Sequence, residues 1–124
     1  MRFLVVEDSG TMRRIVENSL NKIGYDDVVT AEDGADGLEK YDDSIDFVIT
    51  DWNMPDVSGL DLVQQLRSSD SGGEVPILMV TTRSVREDIV TAAKAGVDNY
   101  IVKPFNPQVL KEKIDDVLDG GGEG

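Results

Sequence analysis

Four charged side chains stand where apolar runs end: Glu7 and Asp8 follow Phe3–Val6, Asp51 follows Phe47–Thr50, and Lys103 follows Tyr100–Val102. Those runs lack helical periodicity and read as strands buried on both faces, so the charges fall where the chain leaves a sheet. Open parallel sheets bind ligands at that carboxyl edge. Acidic corners facing a basic one suit a metal-assisted phosphoryl acceptor. A lone carboxylate attacks a phosphoryl group poorly because both are anionic, and it needs a cation. Mg2+ takes oxygen ligands, which Asp8 beside Asp51 would supply, with Glu7 reaching the shell through water. Lys103 would serve as a mobile point charge for phosphoryl oxygens. A hydroxyl ending a fourth strand, Thr81 or Thr82, would donate a hydrogen bond to a phosphate. Each residue also has a plainer use: Asp8 or Ser9 as a helix cap, Asp51 as a turn starter with Asn53 and Pro55, Lys103 as a solvated charge. Their convergence on one sheet edge favours the chemical reading.

The elements that would bring them together alternate along the chain. Strands are expected at Arg2–Val6, Asp27–Ala31, Asp46–Thr50, Pro76–Thr81 and Asn99–Val102, separated by helix-like stretches. This is the pattern of a doubly wound α/β domain. Met12, Ile15, Val16, Leu20 and Ile23 mark one face of a first helix that Gly24 ends. A second helix near Gly34 to Tyr41 is weakly encoded, because Gly34 and Gly37 each cost about 1 kcal/mol against alanine, and a short or mobile segment is expected. Leu60, Leu62, Val63 and Leu66 give a third helix from near Ser58, followed by a flexible Ser68–Gly73 loop. Val85, Ile89, Val90 and Ala93 give a fourth, stopped by Gly96. The last begins at Asn106 as cap with Pro107 in the first helical position, and continues through Val109, Leu110, Ile114, Val117 and Leu118.

Composition removes whole classes of function. The 124 residues suit a single domain. There is no cysteine and no histidine, hence no disulfide, thiolate or imidazole chemistry. Twelve basic against 25 acidic residues give a net charge of −13. That argues against nucleic acid and anionic membrane surfaces and favours divalent cations and basic partner patches, although most of the acids simply keep a small protein soluble. No apolar run approaches the roughly 20 residues needed to span a bilayer, and the first residues enter a strand rather than a signal peptide, so a cytoplasmic location is expected.

Taken together, Val5-Val-Glu-Asp-Ser9, Asp51-Trp-Asn-Met-Pro55 with Gly59, Val80-Thr81-Thr82 and Tyr100-Ile-Val-Lys-Pro-Phe105 resemble the receiver domains of two-component response regulators. The second and fourth motifs look most like the single-domain chemotaxis regulators. The resemblance runs from about Arg2 to Leu118, so residues 1–119 are expected to form the receiver domain and the Gly-rich residues 120–124 a disordered tail. It implies a flavodoxin-like five-stranded parallel sheet of order 2-1-3-4-5 with five helices.

Carried onto these positions, the resemblance makes Asp51 the phosphoacceptor, Asp8 a direct Mg2+ ligand together with the Asn53 backbone carbonyl, and Lys103 the phosphate-binding lysine, with Glu7 completing the metal site. Thr81 becomes the switch hydroxyl, Tyr100 the aromatic that changes rotamer when Thr81 moves, and Lys103–Pro104 a cis peptide. Glu7 stands where the family often has aspartate. Asn53 and Arg83 occupy positions that tune dephosphorylation in the family. The implied activity is a switch rather than an enzyme on other substrates. It catalyses its own Mg2+-dependent phosphoryl transfer from a histidine kinase, changes the surface of its fourth helix, fifth strand and fifth helix while phosphorylated, and loses the group slowly.

Ile89, Tyr100, Val102 and Lys113 are the candidates for that surface, with Ile89 and Val102 equally compatible with core packing. The expected partner is the flagellar motor switch, with a phosphatase as a further possible partner and the chain a monomer. A phosphate sink without downstream partner is the alternative within the family. A Mg2+-dependent aspartyl-phosphate phosphohydrolase would need an aspartate two residues after Asp51, where Asn53 stands. A flavodoxin-like nucleotide carrier would need a phosphate cradle after the first strand, where Glu7 and Asp8 repel phosphate.

Overall fold

A computed structural model describes residues 1–70 and 72–119. Its elements are β1 (Phe3–Val6), α1 (Gly10–Lys22), β2 (Val28–Ala31), α2 (Gly34–Lys40), β3 (Phe47–Thr50), α3 (Gly59–Ser68), β4 (Ile77–Thr81), α4 (Arg86–Ala95), β5 (Asn99–Val102) and α5 (Pro107–Leu118). The strands form one parallel sheet in the order β2-β1-β3-β4-β5, as the sequence predicts. The predicted disordered tail, residues 120–124, lies outside the described residues, as does Ser71 in the predicted loop.

Alternation along each strand divides the core into two layers. Phe3, Val5, Phe47, Ile49, Leu78, Val80 and Ile101 face Val16 and Leu20 of α1 and Leu110, Ile114 and Val117 of α5. Leu4, Val6, Val48, Ile77 and Met79 face Leu62, Val63 and Leu66 of α3 and Ala92 of α4. The central strands β1, β3 and β4 are buried along their whole length. The Tyr100–Val102 run is not buried on both faces: β5 pairs only with β4, and of its residues Ile101 alone is buried. An edge strand has no neighbour to cover its outer side.

Helix termini follow their capping chemistry. Ser9 caps α1 by accepting from the Met12 N–H at 3.2 Å, which leaves Asp8 outside the cap. Asn106 caps α5 through the Val109 N–H at 2.8 Å, with Pro107 in the first turn. Ser58 and Asp61 form a reciprocal capping box on α3. The short α2 is a regular helix capped by Asp33, and its glycines serve close packing: a Cβ on Gly34 would run into Val57, and one on Gly37 into Val6.

Two predicted faces are corrected. Ile15 lies off the buried face of α1 and is exposed. In α4 only Ala92 is buried, while Val85, Ile89, Val90 and Ala93 face outward. Their helical spacing marks a solvent-facing apolar stripe rather than a core face.

Candidate functional site

The carboxyl edge of the sheet gathers the predicted charges. β1 makes its last ladder bond from the Glu7 N–H to the Ala31 carbonyl, 3.0 Å, and then turns out of the sheet. The Asp51 N–H donates to the Val6 carbonyl at 3.1 Å, and the Lys103 N–H to the Thr81 carbonyl at 2.8 Å, so three strand ends fix three functional side chains. Lys103–Pro104 is cis, as predicted. One carboxylate oxygen from each of Glu7, Asp8 and Asp51 lies within 4.8 Å of the others. The Lys103 ammonium donates to Glu7 Oε1 at 2.8 Å and Asp51 Oδ2 at 3.2 Å.

This cluster is asymmetric in burial. Glu7 and Asp51 are 4% and 9% exposed, whereas Asp8 is open to solvent. Burial pushes the Glu7 carboxyl above its usual range; the hydrogen bonds from Lys103 and the Ser9 amide oppose this, and the Asp51 charge adds to it. For Lys103 burial alone would lower the ammonium, but the Glu7 hydrogen bond and the Asp51 and Glu7 charges outweigh it, and the net direction is up. The lysine therefore stays charged between two carboxylates. Oxygen donors of three acids this close together fit a hard divalent cation such as Mg2+ and suit softer metals poorly.

Asp51 is held on both sides. Its Oδ1 accepts from the Trp52 N–H at 2.7 Å, and the Thr50 hydroxyl donates to its carbonyl at 2.9 Å. The Gly59 N–H donates to the Trp52 carbonyl at 2.8 Å, and a Cβ on Gly59 would overlap the Asp51 carbonyl oxygen. The glycine that accompanies the Asp-Trp-Asn-Met-Pro motif is thus the only residue type that lets α3 start against the Asp51 backbone.

Of the two hydroxyls, Thr81 ends β4 fully buried, while Thr82 is exposed. The Thr81 Oγ1 accepts from the Arg83 N–H at 3.3 Å. Tyr100 is half-buried, and its phenol donates to the Arg83 carbonyl at 2.8 Å; burial and the Asp88 charge push it above its ordinary range. Ile89 and Val102 are 37% and 38% exposed, so they are surface residues rather than core. Ile89 and Tyr100 line a groove of about 160 Å3 between α4 and β5. Lys113 is half-buried on α5. A wider depression of about 460 Å3 runs along α3, lined by Val57, Asp61, Gln64, Gln65 and Ser68, away from the acidic cluster.

Arg83 covers the mouth of the site to an extent its sequence position does not reveal. Its Nε and Nη2 donate to Asn53 Oδ1 at 3.2 and 3.1 Å, and its guanidinium carbon lies 4.4 Å from the Trp52 ring centroid. Its Nη1 lies 3.5 Å from Asp88 in the first turn of α4. A second arginine, Arg13, was not singled out by motif or spacing; it donates to the Glu7 carbonyl at 2.8 Å. The signal it offered was a cation near the start of α1, where none is favoured.

Comparison with known proteins agrees with this fold. Residues 3–115 match the response regulator receiver domain family. The chain is 55% identical to chemotaxis protein CheY1 of Helicobacter pylori over 120 residues, covering 95% of this chain and 97% of that one. It is 53% identical to a CheY homologue of Campylobacter jejuni, covering 100% and 98% of the two chains. Among solved structures, chemotaxis protein CheY4 of Vibrio cholerae superposes with a TM-score of 0.85 at 35% identity, covering 94% of this chain and 98% of that one.

Proposed function

The chain belongs to the response regulator receiver domain family, and from that membership we propose that it is a phosphorylation-dependent chemotaxis switch whose acceptor is Asp51. The observation that carries this reading is the single constellation of Glu7, Asp8, Asp51 and Lys103 at the carboxyl edge of the sheet. In the transfer the N–P bond of a kinase phosphohistidine breaks and a bond from an Asp51 carboxylate oxygen to phosphorus forms. Glu7, Asp8, Asp51 and the Asn53 backbone carbonyl would hold a Mg2+ ion, which when bound supplies charge neutralisation for two anions brought together.

The chain's own residues do the rest. Lys103, poised 3.2 Å from Asp51, transfers its ammonium from carboxylate to phosphoryl oxygen, exchanging one charge-assisted hydrogen bond for another. The Trp52 N–H orients the acceptor carboxylate. The Thr81 hydroxyl, buried at the end of β4, donates to the new phosphoryl oxygens. Its movement disturbs the Arg83 segment that the Tyr100 phenol also holds, biasing Tyr100, α4 and β5 between two packings. Asn53 provides no base, and its amide oxygen already accepts from Arg83, so the acyl phosphate persists rather than turning over as in a phosphohydrolase.

The output face in this reading takes the exposed Val85, Ile89 and Val90, the exposed Val102 and half-buried Tyr100 of β5, and Lys113 of α5. Surface apolar residues grouped in this way favour a partner-binding switch over a phosphate sink, and the flagellar motor switch is the partner this reading assigns. The site is cytoplasmic in this reading; no helix among the described residues is long and apolar enough to cross a membrane.

Trp52 provides the test. It is buried beside Asp51 and under Arg83, so its fluorescence should respond to Mg2+ and then to acetyl phosphate. A saturable Mg2+ response followed by a slow, reversible phosphodonor response, lost in Asp51→Asn, is the expected result. A folded wild type that shows neither response would remove the switch reading at its chemical step.

A further inference from the structure

Arg13 lies near the start of α1, whose first turn contains no acidic residue. A cation there opposes the partial positive charge of the helix N-terminus. The side chain is nonetheless half-buried and folded back along the β1–α1 loop. Its Nη1 donates to the Glu7 carbonyl at 2.8 Å and reaches the Asp8 carbonyl at 3.4 Å, while its backbone N–H donates to the Ser9 carbonyl at 2.9 Å. The guanidinium therefore gathers two consecutive carbonyls, while the Ser9 carbonyl enters the ordinary backbone bonding of the first helical turn. The Ser9 N–H points the other way, donating to Glu7 Oε2 at 3.2 Å. Carbonyl dipoles directed toward Arg13, with an amide directed at the acids, give the loop a defined inner and outer side.

We propose that Arg13 is a positioning residue of the acidic site: by holding the Glu7 and Asp8 carbonyls from outside with its guanidinium, it presents the Glu7 and Asp8 carboxylates inward for divalent-cation binding. The proposal rests on the reading of Glu7, Asp8 and Asp51 as a cation site. Past Glu7 the loop has left the β1–β2 ladder, and Arg13 fixes its direction. On its other side the guanidinium borders a polar cavity of about 320 Å3, lined also by Thr30, Glu32, Asp36 and Lys40. Water from that side competes for the carbonyls once the guanidinium is gone. Residues that orient metal ligands in this indirect way typically govern affinity by about tenfold or more.

The sign of the effect separates positioning from simple electrostatics. A positive charge beside the acids repels a cation, so if charge were all that Arg13 contributed, Arg13→Gln would tighten Mg2+ binding. Positioning predicts the reverse. The experiment titrates Mg2+ and, separately, Ca2+ into wild type, Arg13→Gln and Arg13→Lys while following Trp52 fluorescence, with thermal unfolding recorded in EDTA. Expected are a loss of Mg2+ affinity of about tenfold in Arg13→Gln, partial recovery in Arg13→Lys, and a smaller loss for Ca2+. Mg2+ requires near-ideal octahedral geometry and Ca2+ tolerates a loose site, so the changed ratio is a signature that lowered stability alone would not produce. Equal or tighter Mg2+ binding in Arg13→Gln, or an unchanged Mg2+ to Ca2+ ratio, overturns the proposal. If Arg13→Gln does not fold, the Arg13→Lys ratio decides by the same criterion. A wild type that gives no cation response would defeat the cation-site reading itself, an outcome distinct from two saturable and superimposable curves.

Discussion

Glu7 bears the conflict that a site with three acids and one lysine creates. Burial is the first cause that pushes its carboxyl above 4.5, and the Asp51 charge works in the same direction, against Lys103 and the Ser9 amide. A carboxyl raised on folding makes the folded chain hold its proton longer than the unfolded chain. Its contribution is favourable below 4.5 and is lost as pH rises through the folded value. The Lys103 shift is also upward, but its contribution is lost only above 10.5 and does not enter the acid window. In EDTA, Glu7→Gln should therefore flatten the fall in melting temperature on going from pH 4.5 upward; parallel melting curves against pH would contradict this. Arg83 makes a second claim at this scale. Arg83→Ala frees the Asn53 amide and uncovers Trp52, so the acyl phosphate should decay severalfold faster, read as the rate of Trp52 signal recovery after phosphodonor is removed. Asp8, Asp51 and Lys103 were legible in the sequence because a short side chain or a strand-end position leaves little choice of where the charge lands. Arg83 was marked only through the family resemblance, without its contacts to Asn53 and Trp52, and Arg13 not at all, because a long flexible guanidinium can act on carbonyls, amides or rings well away from its own Cα.

At the scale of elements, the strands were readable, but only β5 begins at the residue expected. Arg2, Asp27, Asp46 and Pro76 lie just outside the strands, yet their carbonyls or amides still bond to neighbours: the Phe3 N–H to Asp27, the Asp46 N–H to Arg2, the Val48 N–H to Pro76. Strand identity comes from the apolar run, whereas the boundary depends on which side of the ladder is satisfied. The helices divide by the kind of signal they carry. Caps such as Asn106 are local, so they could be read; Asn106→Ala should lower stability by about 1 kcal/mol in urea denaturation without altering Mg2+ binding. What an apolar stripe faces is not local. The Val85, Ile89, Val90 and Ala93 spacing is equally consistent with a core and with an interface, and only the packed sheet shows that Ala92 fills the available space alone. Gly59 joins an element to the chemistry. Because a Cβ there would overlap the Asp51 carbonyl oxygen, Gly59→Ala should cost about 1–3 kcal/mol in denaturant stability and also weaken the phosphodonor response.

In the proposed reading the whole molecule separates where phosphate would arrive from where a partner would read it. The acids and Lys103 occupy one edge of the sheet, and the exposed apolar residues occupy the side of α4 and the outer strand β5, with the Arg83 segment and Tyr100 between them. Ile89 and Val102 are more than one-third exposed and lie outside the buried core, so truncating them should leave the fold and the acceptor chemistry intact at a modest cost in stability. A partner that closes over them would bury them, and small apolar anchors in the centre of an interface can each carry 1 kcal/mol or more, so losing two of them weakens binding by about tenfold or more. The net charge of −13 adds a second expectation: association with a basic partner should be steered electrostatically and should slow as salt rises. Ile89→Ala with Val102→Ala is therefore expected to phosphorylate at the wild-type rate from acetyl phosphate while losing most of its affinity for the motor switch protein, measured with the phosphorylated chain across a salt series. If the phosphorylated wild type binds that protein no better than Asp51→Asn does, the chain has no such output and the phosphate-sink reading takes its place. If wild type binds and the double variant binds equally well, phosphorylation is read elsewhere on the surface, and the α4–β5 face is not where the signal leaves the molecule.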